Sequence, residues 1–177
     1  MRSMLRFFSL IVLLIVLMPV YPESVYQDPQ TFIEEAFENV PPKADKLWLT
    51  EDLKANVKDI LGHDMGVLRL RYWIKEGRSA WILEEIGKER PITTGFVVED
   101  NQIKKVKILI FRESRGWEVR YPFFTDQFTG ASLQGESLEL DRPIDGISGA
   151  TLSVSAVTRL ARLALLLHHH VTKGEST

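Results

Sequence analysis

Strand-like alternation of apolar and polar residues fills the middle of this chain, and helix-like patterns stand on both sides of it. Alternation runs from Val67 to Ile74, and a turn signal at Glu76-Gly77 allows a second strand from Ala80 to Ile86. The segments Thr93–Val98 and Val106–Phe111 flank a polar tetrapeptide, and they are predicted to pair as a hairpin. Antiparallel strands are therefore expected at the centre of the domain.

Three helices are predicted around these strands. The first covers Gln30–Glu38, and the second follows the expected N-cap residue Thr50 and runs to about Leu61. The third begins at Leu152 and runs to about His170. N-terminal helices, an antiparallel sheet and a C-terminal helix together predict a single domain of the α+β class.

Residues 1–24 have the pattern of a targeting segment. Arg2 and Arg6 precede an uncharged apolar run that ends at Pro19, an order typical of a secretory signal peptide. The run is shorter than the ~20 apolar residues of a spanning helix, so a signal is favoured over a stable anchor. An N-terminal membrane anchor remains the alternative because no Ala-x-Ala cleavage site follows. In either case residues 25–177 are expected to form one domain in the periplasm or on the extracytoplasmic face of the inner membrane.

Composition excludes several kinds of chemistry. The chain has no cysteine, so iron–sulfur ligation and thioether-linked haem are excluded. The formal net charge of −2 gives no general basic surface for nucleic acid. Electron-transfer chemistry in this chain would therefore depend on an organic cofactor or on a haem without thioether bonds.

The segment Asp145–Ser153 combines small residues and hydroxyls just before the last helix. Free backbone N–H groups and the positive end of the helix dipole meet at such a point, so an anion is stabilised there. Gly149 and Ala150 allow a phosphate ester to approach the backbone closely, and Thr151 offers a hydroxyl at the same place. A simple helix cap is the commoner use of such residues.

The same string resembles the flavinylation motif of the FMN-binding domain family, which includes the FMN subunits of the sodium-translocating NADH:quinone reductase and of the Rnf complex. In that family an Asp is followed by a small residue, any residue, Ser or Thr, Gly, Ala and the acceptor Thr. Residues 145–151 of this chain match that pattern without a departure.

The resemblance implies that FMN is attached covalently, through a phosphoester, to Thr151. A flavin transferase that uses FAD would make the bond, Asp145 would serve its recognition of the chain, and the remaining motif residues would surround the phosphate: Ser148, Gly149, Ala150 and Leu152. The implied function is electron transfer, with membrane oxidoreductase subunits or cytochromes as partners. An FMN-dependent reductase subunit acting on a small extracytoplasmic acceptor is the alternative, and a binding module without flavin is a third possibility.

Weaker similarity to the same family extends upstream of the motif. Family members carry a hairpin with a turn glycine, then Glu-Thr-Pro-Gly, then an aromatic segment ending in Phe-x-Gly. This chain has Asn101-Gln102 at the hairpin, then Glu113-Ser114-Arg115-Gly116, then Phe128-Thr129-Gly130. Glu113 and Gly116 are therefore also candidates for the cofactor site, although the turn glycine and the Thr-Pro pair are replaced.

Some other residues receive simpler predictions. Trp81 and Trp117 are candidates for covering a face of the flavin ring, although core packing is the commoner use of tryptophan. His168, His169 and His170 point about 100° apart on a helix, so no shared metal is expected, and exposure or an interaction with the helix dipole is predicted. Glu84-Glu85 is interpreted as a pair of solvated charges, and His63-Asp64 as part of a loop.

Overall fold

The computed structural model describes residues 23–135 and 137–174, and it contains an antiparallel sheet of six strands with helices on both faces. The strands are β1 Ser24–Val25, β2 Asp45–Trp48, β3 Arg69–Lys75, β4 Arg78–Ile86, β5 Pro91–Glu99 and β6 Gln102–Phe111, in the spatial order β1-β6-β5-β4-β3-β2. The helices are α1 Pro29–Ala36, α2 Glu51–Leu61, α3 Pro122–Thr125 and α4 Thr151–Gly174. Short 3₁₀ turns at Trp117–Arg120 and Asp126–Phe128 flank α3. This arrangement confirms the predicted α+β domain.

Local capping explains where the first two helices begin and end. Asp28 Oδ1 accepts hydrogen bonds from the backbone N–H groups of Gln30 and Thr31 at the start of α1. Thr50 Oγ1 accepts from Leu53 N–H at the start of α2, as predicted. Gly62 ends α2 in the left-handed conformation, with φ of 81°.

Two tight turns set the order of the central strands. Glu76 and Gly77 join β3 to β4, and Asp100 and Asn101 join β5 to β6, all four with positive φ. Such two-residue turns match the twist of an antiparallel pair. Asp and Asn tolerate this conformation better than most side chains, so Asp100-Asn101 forms the turn without a glycine.

The sheet is covered on both faces. Helices α4 and α2 pack on one face, where Trp81, Phe96 and Leu160 are fully buried. Helix α1 covers the other face, and its Phe32 ring lies directly over Gly95 of β5. Burial of each such aromatic or aliphatic side chain contributes roughly 1.5–3 kcal/mol, so both layers hold the sheet in place.

Several features differ from the sequence predictions. Strands β1 and β2 were not predicted, and Glu85 is buried rather than solvated because it alternates with exposed Glu84 along β4. The predicted export signal or anchor, residues 1–24, lies outside the described residues except for Glu23 and Ser24. Among residues 23–135 and 137–174, no helix has the length and hydrophobicity needed to cross a bilayer.

His168 is buried, so the predicted exposure is wrong for this residue, whereas His169 and His170 are exposed. Trp81 Nε1 donates a hydrogen bond to Ser79 Oγ at 2.8 Å, and Ser79 Oγ lies 2.7 Å from His168 Nδ1. Because the indole can only donate, the Ser79 hydroxyl is free to donate to a neutral imidazole. Burial, and secondarily the charge of His169, lowers the pKa of His168 to about 4.

We expect the stability of the domain to fall in mild acid because of His168. The unfolded chain binds a proton at this residue below its ordinary pKa of 6.5, whereas the folded chain resists protonation until the pH approaches 4. The stability that neutral His168 contributes is thus fully present above pH 6.5, and it is lost as the pH falls through the pKa of the folded state. Between pH 7 and pH 5, the free energy of unfolding measured in urea should therefore fall by about 1–2 kcal/mol less in His168→Gln than in the wild type. The exposed control His170→Gln should keep the wild-type slope, and equal slopes for all three proteins would contradict the expectation.

Candidate functional site

The segment before α4 forms a tight turn that presents the start of the helix. Ala150 N–H donates to the carbonyl oxygen of Ile147 at 3.0 Å, and Gly149 has φ of 80°. Val154 N–H donates to the Ala150 carbonyl, which begins the intrahelical ladder. Ala150 itself has no side-chain oxygen that could cap α4, and the N-terminus of a helix is a place where an anion is stabilised.

Thr151 is exposed at the first turn of α4 and lines a cleft of about 560 Å³. Leu152 beside it is 52% exposed. Apart from Gly149 and its chain neighbours, no atom of the described residues lies within 4 Å of the place where a Cβ on Gly149 would stand, so the cleft is open at this residue. The lining comes from the β4–β5 turn, from the loop after β6 and from the start of α4 with the two residues before it: Lys88; Glu113, Ser114 and Arg115; and Gly149, Ala150, Thr151, Leu152 and Ser153.

Glu113 holds the opposite wall of the cleft in place. Its Oε1 atom accepts hydrogen bonds from the backbone N–H groups of Glu89 and Arg90 at 2.7 and 3.0 Å, and also from Lys88 N–H. Burial alone would raise the pKa of Glu113, but these backbone donors outweigh it and hold the pKa below its ordinary value. The carboxylate therefore fixes the β4–β5 turn, which carries Lys88, to the end of β6.

Gly116 brings the same loop against the helix. Its φ is 85°, and a Cβ at this position would lie 2.5 Å from Ser153 Oγ and 3.5 Å from Ala150 Cβ. Only a residue without a side chain permits so close an approach in this conformation. Gly116 was predicted to belong to the cofactor site, and the structure gives a reason for glycine at this position: the loop packs closely on Ser153 and Ala150.

Asp145 and Ser148 lie on the exposed loop that leads into the turn, and neither lines the cleft. Asp145 N–H donates to Gln127 Oε1 at 2.7 Å, and Gln127 Nε2 donates to the carbonyl oxygen of Phe123 at 3.2 Å. One amide side chain thus ties this loop to the aromatic segment, while the Asp145 carboxylate faces solvent.

An exposed aromatic cluster follows Gly116. Trp117 is 41% exposed and meets Tyr121 edge to face at 5.8 Å between ring centroids, and Arg120 lies over both rings. Trp81, in contrast, is fully buried and stacks on Tyr72 in the core. The idea that Trp81 covers a bound ring is therefore wrong, whereas Trp117 remains a candidate.

The cleft combines features that suit a phosphate ester. The N-terminus of a 24-residue helix faces it, and the cations Lys88 and Arg115 line it opposite the exposed hydroxyl of Thr151. Sequence reasoning did not identify Lys88, because its approach depends on the distant residue Glu113. Arg115 belongs to Glu113-Ser114-Arg115-Gly116, the segment that the family resemblance indicated upstream of the motif.

Comparison with known proteins gives one match. The model of a protein family described as the FMN-binding domain matches residues 87–166. The matched segment begins at the β4–β5 turn and ends within α4, so it contains every residue that lines the cleft. No curated protein and no solved structure shows a significant match to the chain.

Proposed function

We propose that this chain carries FMN covalently and transfers electrons outside the cytoplasm. The match of residues 87–166 to the model of the FMN-binding domain family supports the binding of flavin. The observation that carries the proposal is the exposed residue Thr151 at the N-terminus of α4, inside a cleft that Lys88 and Arg115 also line. A helix N-terminus and cations are the groups that proteins use to hold phosphate.

The attachment is a phosphoester between Thr151 Oγ and the FMN phosphate. A flavin transferase supplies the flavin as FAD: a new bond forms from Thr151 Oγ to the flavin-side phosphorus, the bond from that phosphorus to the bridging oxygen breaks, and AMP leaves. The hydroxyl proton of Thr151 is released in the same exchange. Asp145 faces solvent and is accessible to the transferase, in keeping with a role in recognition.

The residues of the cleft hold the phosphate after attachment. The first N–H groups of α4 donate to its oxygens, Lys88 and Arg115 balance its charge, and open space at Gly149 admits it. When bound, FMN supplies one- and two-electron redox chemistry, while the protein positions it. A covalent bond keeps the cofactor in place where free flavin is scarce.

Membrane oxidoreductase subunits or cytochromes are the proposed electron partners. Location outside the cytoplasm is supported by the charged and apolar pattern of residues 1–24. The aromatic cluster around Trp117 offers an exposed surface beside the cleft.

Intact-mass measurement of the full chain, co-expressed and exported with a flavin transferase, tests the attachment. We expect the mass to increase by one FMN minus one water, with the addition mapped to the peptide that contains Thr151. An unmodified peptide in protein that was exported with an active transferase would overturn the proposal.

A further inference from the structure

The aromatic segment after Gly116 forms an exposed apolar surface. Phe123 and Tyr121 are 61% and 38% exposed, and Trp117 precedes them by only a few residues. The three rings contact one another in turn: Trp117 lies 5.8 Å from Tyr121, and Tyr121 lies 6.1 Å from Phe123, between ring centroids. A continuous apolar patch of this kind marks a site of contact with a protein or a membrane.

Arg120 and Tyr26 connect this surface to the β1 edge of the sheet. The Arg120 guanidinium lies 4.5 Å from the centroid of the Tyr26 ring and 4.8 Å from that of the Tyr121 ring. Tyr26 directly follows β1, and its N–H donates to the carbonyl oxygen of Leu109 in β6 at 2.8 Å. The aromatic cluster at this edge thus consists of Tyr26, Trp117, Arg120, Tyr121 and Phe123.

The segment that carries most of the cluster has balanced charge. Residues 115–126 contain two arginines, Arg115 and Arg120, and two acids, Glu118 and Asp126. Charge therefore favours neither a strongly acidic nor a strongly basic partner. Such an aromatic surface suits the interfacial layer of a bilayer, where Trp and Tyr are enriched because one end of each ring is apolar and the other is polar.

The place of the cluster along the chain also supports contact with a membrane. The apolar run of residues 7–18 ends eight residues before Tyr26. Eight residues span at most about 29 Å, so a bilayer that held this run would lie within that distance of Tyr26. Because Tyr26 follows an edge strand, the chain enters the domain at the aromatic cluster.

We propose that the aromatic cluster lies in the headgroup layer of the membrane, with Phe123 and Trp117 against the acyl chains and Arg120 on lipid phosphate. This inference goes beyond the proposed function, because it does not depend on flavin. Gly116 links the cluster to the cleft, since it precedes Trp117 and packs on Ser153, which lines the cleft. Contact of the cluster with lipid would therefore hold the cleft close to the membrane surface in a fixed orientation.

Trp48 provides an internal comparison for Trp117. It is 58% exposed, and the Arg69 guanidinium lies 5.3 Å from its ring centroid, so both tryptophans are exposed beside an arginine. Trp48 belongs to β2, at the opposite edge of the six-stranded sheet from β1. A strand spacing of about 4.8 Å places these edges roughly 24 Å apart. A domain that contacts the bilayer through the aromatic cluster thus keeps Trp48 away from the lipid.

Quenching of tryptophan fluorescence by brominated lipid tests the contact. The full chain of residues 1–177 is produced without a flavin transferase, because bound flavin would itself quench tryptophan. It is then reconstituted into phosphatidylcholine vesicles with or without lipid brominated at the glycerol end of the acyl chains. Bromine should quench the wild type and Trp48→Phe, whereas Trp117→Phe should lose most of the quenching. An unquenched wild type, or equal losses in the two variants, overturns the proposal.

Phe123→Asp distinguishes contact of the cluster with lipid from simple tethering through residues 7–18. The change removes an exposed ring and adds a charge, so the ratio of docked to undocked domain should fall by about 10-fold or more. Quenching should fall with it, while flotation with the vesicles and the free energy of unfolding without vesicles should stay as in the wild type.

Leu68→Asp is the matched control for Phe123→Asp. Leu68 is 68% exposed, and its carbonyl oxygen accepts from the N–H of Leu49, directly after β2, so it lies at the far edge of the sheet. This variant should keep the quenching of the wild type. Equal quenching in Phe123→Asp and the wild type would show that the chain is only tethered, and it would overturn the proposal.

Discussion

Thr151→Val should abolish covalent flavin in this chain. Valine keeps the branched shape of threonine at an exposed helix position but has no oxygen to esterify, so a phosphoester is chemically impossible at this residue. The variant, exported with a flavin transferase and denatured on a gel, should show no flavin fluorescence. Its free energy of unfolding, measured without transferase, should change by less than about 1 kcal/mol, because surface substitutions seldom do more.

Matched hydroxyl variants make this result specific. Thr151→Ser keeps an oxygen at the same atom position and should retain fluorescence. Ser153→Ala removes the neighbouring hydroxyl of the cleft, and Ser148→Ala removes one in the motif outside the cleft; both should leave the ester possible. Persistent fluorescence in Thr151→Val would place the bond at another residue and remove the basis of the proposed function.

The sequence predicts those parts of the fold that short-range chemistry determines. Thr50 and Gly62 mark the two ends of α2 because a cap and a left-handed glycine act within one turn of helix. The turn at Asp100-Asn101 is likewise local. Strands β1 and β2 have two and four residues, too few for a visible alternation, and they exist because β6 and β3 supply their partners.

The same distinction applies to the candidate site. The acceptor Thr151 and its small neighbours are adjacent in the chain, so the sequence alone is enough to predict that they lie together. Lys88 reaches the cleft only because Glu113, 25 residues later, binds its backbone N–H, and no pattern in the sequence reports that contact. The burial of a tryptophan also depends on residues far away in the chain. The sequence does not distinguish Trp81 from Trp117, and Trp81 lies in the core because the sheet and its helices cover it.

The burial of Glu85 follows from the alternation of side chains along β4. Its position within β4 alternates with Glu84, so one of the two had to face the helices once the strand was accepted. The buried member finds Arg159 and His63 as partners, as a buried carboxylate requires. Adjacent identical charges in a strand are thus a signal for one buried ionic group.

Gly116→Ala should destabilise the domain and also lower flavin attachment. The added Cβ forces a side chain into the left-handed region, at a cost of about 1 kcal/mol or more, and it meets Ser153 Oγ at 2.5 Å, which adds about 1–3 kcal/mol of overpacking. We expect a total near 3 kcal/mol in urea unfolding. Because Gly116 holds the loop that carries Glu113 and Arg115 against α4, relief of the clash moves one wall of the cleft away from Thr151.

Gly62→Ala separates the two contributions. Gly62 has nearly the same φ, 81°, but a Cβ there has no atom within 4 Å, so this control carries the backbone strain without the clash and should cost only about 1 kcal/mol. Its flavin attachment should equal that of the wild type. Adding Ser153→Ala to Gly116→Ala removes the closest atom and should restore part of both stability and attachment, since contacting residues couple. Equal effects of the two glycine variants would show that the close packing of Gly116 on the helix is not what shapes the cleft.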